Sequence, residues 1–109
     1  MLYRMMGTTG LQVSVLSYGF WATFGVKDRL SEDAGIQAAK ELLQQARLAG
    51  VNLFDNAEVY GEPRGEAERI MGEAIAQLQV EYPHEWRRSD IIITTKRFWG
   101  GDGVNEKGL

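Results

Sequence analysis

Cysteine is absent from all 109 residues. That single absence removes disulfides, cysteine-ligated zinc and a thiol nucleophile. No apolar run approaches the roughly 18 residues of a membrane span, and the N-terminus has no signal-peptide pattern, so any membrane association is expected to come through a partner protein. A basic surface is lacking too. Twelve Lys and Arg stand against 15 Asp and Glu for a net charge of -3, and the positive residues are scattered apart from Arg87-Arg88, which read as solvating a turn. This balance argues against binding a phosphate backbone. With 44% hydrophobic and 25% charged residues, the chain reads as part of a soluble, cytoplasmic protein. Internal repeats and low-complexity stretches are missing beyond a strand-helix alternation.

That alternation is legible along the chain. Residues 1 to 14 alternate loosely around a GTTG segment and predict a β-hairpin. Val15 to Gly19 reads as a buried strand, with Phe20, Trp21, Thr23 and Phe24 at its C-terminal end. Ser31 is an expected N-cap, with Glu32 and Asp33 in the first turn of a helix whose apolar residues Ile36, Ala39, Leu43 and Ala46 recur at helical spacing until Gly50 ends it. Val51 to Asp55 follows as a second strand. Ala67, Ile70, Met71, Ala74, Ile75 and Leu78 then form another apolar stripe, with Glu66 and Glu68 near its positive end. Ile91 to Thr95 is the third strand, and its unbroken apolar character predicts cover on both faces. The architecture expected is α/β with parallel strands.

Chemistry gathers at the C-terminal ends of these strands. Asp55 and Tyr60 lie in NLFDNAEVYGE, and Lys96 closes IIITTK. An ammonium beside a phenol favours the phenolate, and a carboxylate can hold that ammonium in place, so the three types together make a proton donor for a carbonyl oxygen. A surface tyrosine beside an unrelated ion pair is the alternative reading of the same spacing. Trp99, in FWGG, either walls a carbonyl pocket or packs under its loop. Trp86 reads as structural. The GGDG run lacks the helix-opening spacing of a Rossmann or Walker motif and is assigned to a loop after a strand.

Gly50, Asn52, Phe54, Asp55, Ala57, Glu58, Tyr60, Glu68 and Gly72 together resemble the aldo-keto reductase signature around the second strand of a (β/α)₈ TIM barrel. Within that superfamily, LYRMMGTTGLQVSVLSYGFWATFG, GVNLFDNAEVYG, WRRSDIIITTKRFWGG and NEKGL are most similar to the β subunits of voltage-gated potassium channels. Extra residues in DRLSEDAGIQ and QVEYPHE depart from that pattern at places where loop insertions are cheap. The resemblance implies NADPH-dependent reduction of aldehydes or ketones, with Tyr60 as general acid, Lys96 easing release of its proton and Asp55 orienting Lys96. It implies cofactor contacts at Phe20, Trp21, Lys27 and Asp55, although Phe20 and Lys27 differ from the residues common in that branch. It also implies a channel α subunit as partner and a homotetramer. The family's further catalytic histidine would follow on the next strand. His84, the only histidine here, falls before the third strand, at the wrong end of such a barrel.

Such barrels typically need about 250 residues. Residues 1–109 are therefore expected to form the hairpin and the first three strand-helix steps, a truncated piece of an NADP-dependent oxidoreductase domain that is sticky because its sheet edges are open and inactive by itself because the further histidine and the phosphate site are not among these residues.

Overall fold

The computed structural model describes residues 1–25 and 32–97. The expected N-cap Ser31, Lys27, Trp99 and the GGDG loop lie outside the described residues. Strands β1 (Tyr3–Met5) and β2 (Gln12–Ser14) pair antiparallel with Tyr3 opposite Ser14. The Met6 amide donates to the Leu11 carbonyl and closes the hairpin. Strands β3 (Tyr18–Gly19), β4 (Leu53–Asp55) and β5 (Ile92–Thr94) form a parallel sheet in the order β3-β4-β5. Helices α1 (Glu32–Leu48) and α2 (Glu66–Glu81) supply the crossovers, and an ion pair between Lys40 and Glu81 links them.

Period-two alternation sorts the sheet residues. Tyr18, Phe54 and Ile93 share one face, while Gly19, Asp55 and Thr94 share the other. The helices cover this first face over β3 and β4. All six stripe residues of α2 are buried, and with Ala39 and Leu43 of α1 they enclose Phe20 and Phe54. Trp86, on the turn before β5, stacks on Phe54 with ring centroids 5.5 Å apart, and its indole N–H donates to Gln44 Oε1 at 2.6 Å. The structural reading of Trp86 therefore stands.

Helix α1 ends in a double carbonyl closure. The Gly50 amide donates to the Arg47 carbonyl and the Val51 amide to that of Ala46, the Schellman pattern. Gly50 has φ +93°, and a Cβ there would stand 2.6 Å from Met1 Cβ, so glycine answers both conformation and space. The Tyr3 hydroxyl donates to the Gly50 carbonyl, and the Asn52 side chain bonds to both Ser14 and Gln12. These bonds fasten the hairpin to the N-terminal end of β4, away from Asp55.

Two expectations change. Only Tyr18–Gly19 of the expected Val15-to-Gly19 strand is in the sheet, and Val15 and Leu16 are exposed. The Val15 amide is taken by the Leu2 carbonyl and the Leu16 carbonyl accepts from Ser14 Oγ, so this segment finishes the hairpin instead of pairing with β4. Ile91, just before β5, is buried, but Ile93 within it is 36% exposed. The expected cover on both faces is not found, since Ile92 is only half-buried and Ile93 is open, because β5 is the outer strand among the described residues.

Candidate functional site

The C-terminal ends of β4 and β5 converge on one ion pair. Lys96 Nζ donates to Asp55 Oδ1 at 2.8 Å, to Asp55 Oδ2 at 2.6 Å and to the Asn56 carbonyl at 2.8 Å. Three acceptors match the three protons of an ammonium. Asp55 Oδ1 also accepts the Thr94 hydroxyl at 2.7 Å. The same ammonium stands 5.1 Å from the centroid of the Tyr60 ring, within cation-π range. Asp55, Tyr60 and Lys96 are thus brought together as the sequence predicts.

Partial burial alone would raise the Asp55 carboxyl, but hydrogen bonds from Lys96 and Thr94 and the Lys96 charge hold it below the usual carboxylate range. Lys96 is the mirror case. Burial would pull it down, yet Asp55 and Tyr60 hold it above an ordinary lysine. Lys96 is therefore a standing positive charge beside the Tyr60 ring. The pair's contribution to stability is complete above an unfolded carboxylate's range and is lost as pH falls through the depressed Asp55 value. On the alkaline side it is complete below an unfolded lysine's range, near 10.4, and is lost as pH rises through the raised Lys96 value. With side chains 49% and 33% exposed, the pair is expected to contribute about 1 kcal/mol or less. Urea midpoints of the parent minus those of the Asp55→Asn, Lys96→Met double variant should plateau between those limits and close at both.

Tyr60 is set by the loop between β4 and α2. Its amide donates to the Ala57 carbonyl, and its own carbonyl accepts from the Ala67 amide in the first turn of α2. Gly61, with φ +93°, packs so tightly that a Cβ would lie 2.6 Å from the Ala67 nitrogen. Substitution Gly61→Ala is expected to cost about 1–3 kcal/mol in backbone strain and to pull Tyr60 from Trp21, read as a lower urea midpoint with altered Trp21 fluorescence. Trp21 is 76% exposed and stacks against Tyr60 at 6.4 Å. Phe20 is different. Its ring is fully buried in the core, so it offers the site main chain only, with its amide bonded to the Asp55 carbonyl at 3.0 Å. His84 is exposed on the turn before β5, at the opposite end of the strand from Lys96.

Asn56, Thr94 and Thr95 were not singled out by the sequence. Asn56 is fully buried. Its side chain donates to the Ala67 carbonyl and accepts the Ala57 amide, while its own carbonyl receives Lys96. The amides of Asn56 and Glu58 continue the ladder onto the carbonyls of Thr94 and Lys96, clamping the two strand ends together. The available signal for Thr94 was period two, which places it on the same face as Lys96. Among the described residues no cluster of His, Asp or Glu is placed to hold a metal ion.

A model of the Aldo/keto reductase family matches residues 15–109. The chain belongs to that family. It is 51% identical over all 109 residues to proteins named "Probable voltage-gated potassium channel subunit beta" from Oryza sativa subsp. japonica and from Arabidopsis thaliana, and it spans 29% of the length of each. Its fold matches a crystal structure described as an aldo-keto reductase from Pseudomonas aeruginosa, with TM-score 0.62 and 28% identity over 98% of this chain and 34% of that one. The three parallel strands and two helices of this aldo-keto reductase chain are thus successive steps of a (β/α)₈ barrel, forming an open sheet among the described residues.

Proposed function

We propose that residues 1–109 form the N-terminal portion of an NADPH-dependent aldo-keto reductase domain of the potassium-channel β-subunit type, which reduces a small aldehyde or ketone by hydride transfer. The observation that carries this reading is the meeting of Tyr60, Lys96 and Asp55 at the C-terminal ends of parallel strands, where barrels build their chemistry. Trp21, Asp55 and the main chain at Phe20 would hold the nicotinamide end of the cofactor. The exposed indole beside Tyr60 suits a flat ring, and Lys27 is a further proposed contact. Bound there, NADPH would supply a hydride for the carbonyl carbon. Tyr60 gives its proton to the carbonyl oxygen, so that the C=O bond becomes an alcohol, and solvent restores the phenol. Lys96 stabilises the charge left on the phenol, Asp55 holds Lys96, and Trp99 is proposed to wall the carbonyl pocket.

A polypeptide of these 109 residues alone is proposed to be inactive. Phosphate sites of such barrels are usually built after strands seven and eight, and the chain spans 29% of its channel-subunit relatives. NADPH fluorescence titration tests this, on the 109-residue chain beside a chimaera in which it replaces the matching segment of the rice relative. Binding by the chimaera only is expected; tight binding by the short chain overturns the claim of incompleteness, and no binding by either overturns the cofactor.

A second reading is favoured by the names of the relatives. Here the same fold serves as a cofactor-sensing subunit of a voltage-gated potassium channel, cytoplasmic, tetrameric and held at the inner membrane face by the channel. Among the described residues no helix is long and apolar enough to cross a membrane. Retention of a plant channel α subunit on the immobilised chimaera tests it, and its absence removes this reading while leaving the reductase.

A further inference from the structure

Threonines 94 and 95 stand side by side immediately before Lys96 and serve opposite faces of β5. Thr94 reaches Asp55 on the site face. Thr95, turned the other way by strand alternation, donates its hydroxyl to Glu68 Oε1 at 2.5 Å, across 27 residues of sequence. The acceptor is a carboxylate oxygen, so the bond is charge-assisted. Glu68 lies in the first turn of α2, where the helix dipole favours a carboxylate. The same turn also holds the other strand end, because the Ala67 carbonyl accepts the side chain of Asn56, and Asn56 in turn supplies the third acceptor of Lys96. One helical turn therefore grips both segments whose meeting places the ammonium.

We propose that Glu68 and Thr95 are positioning residues, a tether from α2 to the end of β5 that holds Lys96 on Asp55 and beside Tyr60. Neither touches the reacting groups. Thr95 is itself exposed, so its replacement removes the tether without opening the core. Without it the end of β5 keeps its main-chain ladder, the Lys96 side-chain bonds and the Arg97–Glu58 ion pair but loses its side-chain anchor to α2, and the ammonium is freer to exchange the Asn56 carbonyl and one carboxylate oxygen for water.

The inference deepens the reductase reading and rests on it for its meaning, but its test needs neither cofactor nor substrate. The Asp55 carboxyl is titrated by ¹³C NMR in the rice chimaera labelled at aspartate, with Asp55→Asn assigning the resonance. Thr95→Val and Glu68→Ala are each expected to move the Asp55 midpoint upward by about half a pH unit or more, a roughly threefold change in proton affinity. Thr95→Ser and Glu68→Gln, which keep a hydroxyl donor and an oxygen acceptor, should restore it. Near-ultraviolet circular dichroism reports whether each variant keeps the Phe54-Trp86 stack. An unmoved midpoint in folded Thr95→Val overturns the tether, as does a shift that Thr95→Ser fails to reverse. If the midpoint moves as expected while the chimaera reduces no carbonyl, the reductase reading fails and the tether stands.

Discussion

Replacing Tyr60 with phenylalanine is expected to slow carbonyl reduction by the rice chimaera about 10²–10⁴-fold, the range that a positioned general acid supplies. The substitution is narrow. Phenylalanine keeps the ring that stacks on Trp21 and faces the Lys96 ammonium, and it keeps the backbone bonds to Ala57 and Ala67. Only the hydroxyl is removed, so the loss should appear in kcat with KM little changed. Lys96→Met should fall in the same range if Lys96 has the proposed role of stabilising the tyrosine anion, and it leaves Asp55 without its Lys96 partner. A Tyr60→Phe chimaera that retains most of its rate would assign proton delivery to another group.

Trp86→Ala is expected to carry the largest cost in stability, about 3–5 kcal/mol. The indole is 1% exposed, stacks on fully buried Phe54 and bonds to Gln44. Its loss leaves a cavity between the sheet and α1, and takes from Gln44 its only indole donor. Small domains are typically stable by about 5–15 kcal/mol, so the variant is expected to be largely unfolded at modest urea concentrations. Trp86→Phe should fall between, because the ring stack survives while the hydrogen bond does not. Urea denaturation followed by far-ultraviolet circular dichroism checks both. A drop below about 1 kcal/mol for the alanine variant would mean that the turn before β5 packs loosely on Phe54.

Helical periodicity was the clearest signal in the sequence. The stripe from Ala67 to Leu78 and the α1 residues Ile36, Ala39 and Leu43 are buried where a 3.6-residue repeat puts them, because a helix's buried face is a local property of spacing. The site was half legible. Asp55 and Lys96 close apolar strand runs, and parallel pairing brings such ends together. Asn56, Thr94, Thr95 and Glu68 were not readable as partners, since their bonds depend on the register between segments 11 to 39 residues apart. Apolar content misled at Val15 and Leu16. Both suit a strand, but their backbone groups are claimed by Leu2 and Ser14 before β4 can use them. Phe20 shows the same limit, for position at a strand end does not say which way a ring turns, and here it turns into the core.

The chemistry of the site is tested most directly by following one hydrogen. The chimaera is supplied with an aromatic aldehyde and NADPH deuterated at the transferable C4 position, and the alcohol is examined by mass spectrometry. Deuterium at the carbinol carbon in the parent, with the alcohol itself nearly lost in Tyr60→Phe, is the predicted result. Alcohol without deuterium, or no alcohol from a chimaera that binds NADPH, would contradict a hydride-transfer site built from Asp55, Tyr60 and Lys96.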